Sequence, residues 1–463
     1  MKLFKKDAPF YKNVFVLGFP IALQTLITVG VGMLDNIMLS RLSQDAFSAA
    51  SLANSFITIF QIFCMGLGMG ASVLVSRYWG MKKAHDNEDK ADIALKQTVC
   101  LMLRLVLFMA LIFALGALLI PRFIMLSYTG SEPLIELGCT YLRYSVATFF
   151  FLGLSLTTTI VLRSVGQSRY PLYVSIAALM INLSGNYVLI FGHFGFPQLG
   201  IAGAAIATLI ARIFEAGAVM VYLLIFDKKV GFRIHHFFMK TRSLLREYFR
   251  VSIPVLISDA IVALGNNSIT MVIGHLGDAF VAANAITAVT QQLSTVVIQG
   301  VCQAGAIITG QTLGRGQKER AEEQGWLFLG LGFALGFLSA LFIFFTKTPV
   351  IYSYGEELTT DSISIAYQLL NAISLIIIFQ ATNSIMTKGV LSGGGDTTML
   401  MLADNIFLWV LSLPLGLLAG FVLHLPAFWI YFFLKSDQIA KTIWCVFRLR
   451  GRKWIKRIST GNN

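Results

Sequence analysis

Apolar stretches about twenty residues long follow one another along nearly the whole of this 463-residue chain. A helix rising 1.5 Å per residue needs roughly 20 such residues to cross the hydrocarbon core of a bilayer. Twelve stretches meet that need: 14–40, 47–78, 97–120, 134–162, 171–192, 200–225, 249–274, 280–312, 325–346, 363–390, 399–421 and 425–446. Charged residues make up 13% of the chain, against roughly 25% in soluble domains. Mean hydropathy is +0.74. The pattern predicts an all-α membrane protein with twelve transmembrane helices.

Basic residues fall on alternate loops. Lys2, Lys5, Lys6 and Lys12 precede the first span, Lys82, Lys83 and Lys90 follow the second, and Arg163 and Arg169 follow the fourth. A further cluster lies in 227–248, Arg315, Lys318 and Arg320 follow the eighth span, and the tail 448–463 is basic. The net charge of +13 thus sits beside spans, where it sets orientation and does not form a nucleic-acid surface. The positive-inside rule puts both termini in the cytoplasm of a multi-pass protein of the cell (inner or plasma) membrane. The start "MKLFKKDAPFYKNVFVLGFP" runs into a full-length span and is not read as a removable signal peptide. The connection "FDKKVGFRIHHFFMKTRSLLREYFR" interleaves bases with Phe and Leu and is expected to form an amphipathic helix on an anionic leaflet. The five cysteines form no C-x-x-C and read as buried free thiols.

The chain repeats itself. "GLGMGASVLVSRYWG" (66–80) aligns with "GVCQAGAIITGQTLG" (300–314) at an offset of 234, and "DAFSAA" (45–50) with "DAFVAA" (278–283) at 233. "VLRSVGQS" (161–168) aligns with "VLSGGGDT" (390–397) at 229, and Pro20 corresponds to Pro254 at 234. Each half then holds six helices, an even number, so both halves enter the membrane in the same direction. Two six-helix bundles related by a parallel repeat, with a cleft between them, are expected. The domains are an N-terminal bundle 1–226, the basic linker 227–248, a C-terminal bundle 249–447 and the tail 448–463. Gly66 and Gly70 form a G-x-x-x-G pair that lets helix backbones approach closely.

Chemistry-bearing motifs are scarce. No G-x-x-x-x-G-K-[ST], H-E-x-x-H or G-x-S-x-G occurs, so ATP-driven work and hydrolysis by these chemistries lack their residues. The chain is therefore not read as an enzyme, no cofactor is expected, and energy must come from an ion gradient. One acid stands out: Asp35, in "VGVGMLDNIMLSRL" (29–42), lies about six residues, or roughly 9 Å, inside the outer end of helix 1. A charge at the bilayer centre costs about 2.5–3.5 kcal/mol on insertion scales, so such an acid is a functional residue by default. Helix 5 brings Asn182 and Asn186 onto one face at i, i+4, and helix 6 brings Thr208 to a similar depth. These oxygens suit a proton or a hard cation such as Na⁺. For Thr208 alone, a helix–helix hydrogen bond is an equal reading.

The second half departs at the matching positions. Asn182 and Asn186 map to Leu411 and Leu415, and Asp35 maps to Ser268 or Ile269. Thr208 maps to Asp437, which reads as an ion pair with Lys441. Asp259 is a second intramembrane acid, with no partner cluster apparent in the sequence. Arg212 and Glu215 read as a neutralising i, i+3 pair. Pro20 removes an N–H and Gly18 loosens the helix beside it, which permits either a hinge or a static kink in helix 1.

Three stretches in family order, "FPIALQTLITVGVGMLDNIMLSRLSQDAFSAASLA", "VLRSVGQSRYPLYVSIAALMINLSGNYVLIFGHFGFPQLGIAGAAIAT" and "VLSGGGDTTM", make the chain resemble a multidrug and toxic compound extrusion (MATE) transporter of the MOP flippase superfamily. The resemblance implies a V-shaped pair of bundles and alternating access. It also implies efflux of small amphipathic, often cationic, compounds in exchange for H⁺ or Na⁺. The family's helix 1 aspartate falls on Asp35, its helix 5 pair on Asn182 and Asn186, its helix 6 threonine on Thr208 and a helix 4 tyrosine on Tyr141. Some members carry an aspartate where this chain has Asn186, and others a helix 7 glutamate from which Asp259 is displaced by about a turn. The expected partners are these small substrates and the lipid bilayer, with no nucleic acid, and the chain is expected to act as a monomer. The rival readings are a lipid-linked oligosaccharide flippase of the same superfamily, a membrane-embedded enzyme, and a channel or receptor.

Overall fold

The computed structural model describes residues 7–84, 88–353 and 359–456. Lys2, Lys5, Lys6 and the end of the basic tail from 457 lie outside the described residues. Twelve helical spans follow in order: α1 (Ala8–Leu42), α2 (Gln44–Lys83), α3 (Glu88–Leu119), α4 (Glu132–Tyr144 and Thr148–Ser164), α5 (Arg169–Phe191) and α6 (Ile201–Phe226). They continue as α7 (Arg242–His275), α8 (Asp278–Gly314), α9 (Lys318–Ser353), α10 (Thr360–Leu391), α11 (Thr397–Val422) and α12 (Ala427–Leu434 and Asp437–Arg450). A short helix, Pro121–Leu126, joins α3 to α4. No strand occurs among the described residues.

Ten of these helices, and α4 as a bent pair, are long and apolar enough to cross a membrane; the twelfth expected span is covered by two short pieces. The two parts of α4 bend by 60° across Ser145–Ala147. In α12 the helix stops at Leu434 and restarts at Asp437, so neither piece is long enough to cross by itself. Local chemistry sets the ends: Ser43 Oγ accepts from Ala46 N at 3.0 Å to start α2, and Gly192, at φ +77°, closes α5 in the left-handed region. Segments of π-helix interrupt α10 at Ile385–Leu391 and α11 at Phe407–Ser412.

The described residues cluster into two compact units. Leu23–Leu256 form one; the residues up to Ala22 join those from Ile257 onward in the other. Each boundary falls inside a helix, two residues beyond Pro20 in α1 and beyond Pro254 in α7, and the two boundaries are 234 residues apart (256 − 22). That spacing is the offset of the sequence repeat.

In the unit formed by residues 23–256, Phe56, Phe60, Phe113 and Phe149 pack ring to ring with centroids 5.2–6.0 Å apart. There α2 meets α7 closely, since a Cβ on Gly66 would lie 2.9 Å from Leu256 Cβ, as the G-x-x-x-G pair implies. In the other unit the start of α1 belongs to the core: Phe10 and Val14 are buried, and Phe10 stacks edge-on against Phe328 at 4.9 Å. Gly18 is part of this packing. A Cβ there would stand 3.3 Å from the Gly300 carbonyl oxygen, so its small size admits a helix–helix crossing. Helix α1 runs unbroken through Pro20.

The basic linker corrects the expectation of an amphipathic helix for residues 227–241, while 242–250 form the start of α7. Asp227, fully buried, accepts from the backbone N–H groups of Lys229, Val230 and Gly231 at 3.1, 2.8 and 3.3 Å. Gly231 adopts φ +63° and Arg233 Nη1 donates to the Leu224 carbonyl at 2.7 Å. These bonds fold the segment into turns, leaving one 3₁₀ turn at Ile234–Phe238 before α7 starts at Arg242. Arg104 on α3 donates to the Phe237 carbonyl, from Nε at 3.0 Å and from Nη2. All five cysteines are free.

Candidate functional site

Helices α5 and α6 lie unusually close because two glycines face the contact. A Cβ on Gly185 would be 3.0 Å from Ala207 Cβ, and one on Gly203 would be 2.5 Å from the Leu189 carbonyl oxygen. This brings α5 amides within reach of an α6 hydroxyl. Asn182 Nδ2 donates to Thr208 Oγ1 at 3.3 Å, and Asn186 Nδ2 donates to Asn182 Oδ1 at 3.2 Å. The same Asn186 nitrogen donates to Asp35 Oδ1 on α1 at 2.5 Å. Four of the residues singled out in the sequence therefore form one continuous chain across three helices. Asn186 is fully buried, and its Oδ1 has no hydrogen-bond partner.

The fifth residue stands apart from this chain. Tyr141 is buried on α4, and its hydroxyl donates to Asn54 Oδ1 at 3.3 Å, not to Asp35.

A cavity of about 50 Å³ opens beside the cluster, lined by Asp35, Asn182, Thr208, Ser175, Arg212 and Glu215 among others. Its far wall is a second polar network. Arg212 Nη1 donates to Glu215 Oε2 at 2.6 Å, Ser175 Oγ donates to Glu215 Oε1 at 3.2 Å, and Gln24 Nε2 donates to Ser175 Oγ at 2.7 Å. Arg163 donates to Gln24 Oε1. Sequence reading found the Arg212–Glu215 pair and missed Gln24, Ser175 and Asn54. The available signal was a polar residue inside an apolar span, since a buried polar group needs a partner. A carboxylate beside an unsatisfied amide oxygen and a hydroxyl is a place where a proton or a small cation finds oxygen ligands. Among the described residues no group of three or more His, Cys, Asp or Glu gathers as a metal site.

The other unit carries a larger polar cavity, of about 510 Å³. Asp259, for which the sequence offered no partner, sits 2.9 Å from Lys388 Nζ on α10. Asp437 pairs with Lys441 at 3.0 Å as its i, i+4 spacing implies, and Lys441 also reaches Asp404 on α11 at 3.2 Å. Of the positions equivalent to the first cluster, only Asp437, the counterpart of Thr208, belongs to this second cluster; the counterparts of Asp35, Asn182 and Asn186 do not supply its charges. Lys388, Asp404 and Lys435 were missed because they come from three different helices, and no local spacing relates them.

A helical membrane protein with polar clusters held inside its bundles has the build of a transporter. The MatE family model matches residues 20–188 and again 254–418, two segments that begin 234 residues apart (254 − 20). The chain belongs to this family and is a multi-pass MATE transporter. It is 25% identical to the uncharacterized transporter YisQ of Bacillus subtilis, over 98% of this chain and 97% of that one. It is 27% identical to the probable multidrug resistance protein NorM of Thermotoga maritima, over 98% and 95%. A solved outward-facing multidrug resistance MATE family transporter of the MOP superfamily superimposes with a TM-score of 0.84 at 19% identity, covering 96% of each chain, and shares the twelve-helix fold.

Proposed function

We propose that the protein exports small amphipathic, cationic compounds across the cell membrane in exchange for H⁺ or Na⁺, by alternating access. The observation that carries this reading is the bond from Asn186 to Asp35 within the chain Asp35–Asn186–Asn182–Thr208. An acid held inside an apolar bundle by one amide, whose own oxygen is left unsatisfied, can exchange a positive ion during a cycle.

In this cycle the compound is taken up from the cytoplasm while Asp35 is ionised and free of cation. A proton or Na⁺ entering from outside occupies the site of Asp35, Asn182, Asn186 and Thr208. Helix α1 then readjusts about Pro20, and the compound leaves. The ion drives the change only through its differential affinity for the two states. Names of relatives such as the probable multidrug resistance protein NorM support drug-like cargo.

The test is dye transport into everted membrane vesicles under an imposed H⁺ or Na⁺ gradient, comparing wild type with Asp35→Asn. Wild type should respond to one gradient and the variant to neither, at equal amounts of protein in the membrane. Gradient-driven transport that persists in Asp35→Asn would overturn the assignment.

A further inference from the structure

The 510 Å³ cavity in the unit that follows Ile257 falls in the size range of small-molecule pockets, roughly 300–1,000 Å³. Its chemistry differs from that expected of a site for flat amphipathic cations. Seven carboxamides line it, those of Asn266, Asn284, Gln291, Gln299, Gln380, Asn383 and Gln438, and a single aromatic ring, Tyr431, is among the described lining residues. Of these, Asn383 donates to Gln438 Oε1 at 2.9 Å, while its own buried Oδ1 has no partner.

The charges are unevenly engaged. The carboxylates of Asp404 and Asp437 both bind Lys441, and Asp259 is held by Lys388. Among the described residues, Lys435 is the lining charge with no ion pair and no side-chain hydrogen bond. Lys435 is half-buried on the cavity wall and feels the Asp437 carboxylate only beyond ion-pair distance, so its ammonium is placed to meet an anion in the cavity.

The backbone is built for this wall. Lys435 sits at the break in α12, and Thr387 and Lys388 lie in the π-helical segment of α10. Leu408, on the same wall, lies in the π-helical segment of α11. Such segments in otherwise regular helices occur often at functional sites.

We propose that this cavity is a second binding site, separate from the Asp35 cluster, for a dissolved polar organic anion: a hydroxylated or amide-bearing solute with one carboxylate or phosphate. Lys435 binds the anionic group, and the carboxamides bind the polar body. The site stands independently of ion coupling at Asp35.

The experiment is calorimetric titration of the full-length protein in phosphatidylcholine nanodiscs with gluconate, glucose 6-phosphate, glucose and tetraethylammonium. Both anions should bind, with glucose at least about tenfold weaker, the scale of one charge-assisted hydrogen bond. Lys435→Gln should weaken both anions by a similar factor and Lys435→Glu should abolish their binding, while Asp35→Asn leaves it intact. The proposal fails if neither anion binds wild type, if glucose or tetraethylammonium binds as tightly, or if Lys435→Gln keeps full affinity. It also fails if Asp35→Asn loses the anion. Replacing part of the lipid with phosphatidylglycerol should not change anion affinity; competition there would assign the site to a lipid headgroup instead. If the Lys435 variants do not fold, the wild-type comparison of anion, neutral sugar and cation still decides.

Discussion

Asn186 donates from Nδ2 to Asp35 Oδ1 at 2.5 Å, across from α5 to α1, while its own Oδ1 stays buried and unsatisfied. An N–H donor matches an ionised carboxylate, and the idle carbonyl beside it matches a cation. Replacing Asn186 by Leu removes both the donor and the acceptor and keeps the helix apolar. A hydrogen bond to a charged group is worth about 1.5–3 kcal/mol, so gradient-driven transport should fall by at least about tenfold in Asn186→Leu. Initial rates of dye transport at matched protein levels check this, and an unchanged rate would remove Asn186 from the coupling machinery.

The cluster depends on how closely α5 and α6 approach. At Gly203 an added methyl would press within 2.5 Å of the Leu189 carbonyl oxygen, so backbone must move. Gly203→Ala should cost about 1–3 kcal/mol and lower the melting temperature. Gly217, on the same helix, has nothing within 4 Å of its would-be Cβ. Gly217→Ala should leave stability unchanged or raise it by about 0.5–1 kcal/mol, through helix propensity alone. Equal melting temperatures for the two variants would contradict the close-packing account.

The spans and the repeat were legible because both rest on period and composition, which tertiary contacts seldom override. Asp35, Asn182, Asn186 and Thr208 were legible because a polar side chain in an apolar run is conspicuous and i, i+4 spacing fixes a shared face. The second cavity was not, because Lys388, Asp404 and Lys441 come from three helices whose mutual rotation no local pattern specifies. The linker was misread for a related reason. Its basic and aromatic alternation fits an interfacial helix, yet buried Asp227 collects three backbone N–H groups and makes turns instead.

Lys441 offers a test of the second cluster's energetics. Its ammonium, with the side chain 5% exposed, serves both Asp404 and Asp437. Removing it leaves two carboxylates buried without their counter-charge, which typically costs about 3–5 kcal/mol. Lys441→Met should therefore melt well below wild type. Adding Asp404→Asn and Asp437→Asn should recover most of the loss, because no buried charge remains in that triad. A single variant as stable as wild type would show that water, not Lys441, solvates these acids.

At the charged start of α3, ahead of the apolar stretch 97–120 that crosses the membrane, Asp92 ties α3 to the end of α2, with Lys82 Nζ at 2.5 Å and Lys96 Nζ at 2.6 Å. Burial pushes its carboxyl upward, but the hydrogen bonds and charges of the two lysines outweigh burial and hold it below the usual carboxylate range. The unfolded chain thus binds a proton on Asp92 more readily than the folded one. By linkage its contribution to stability is present in full well above the unfolded value, about pH 4, and is lost as pH falls through the folded value. Asp92→Asn removes the charge at every pH. The melting-temperature gap between wild type and Asp92→Asn should therefore be largest near neutral pH and should close progressively below about pH 4. A gap that stays constant, or that widens on acidification, would mean that the two lysines are not what sets this carboxylate's charge.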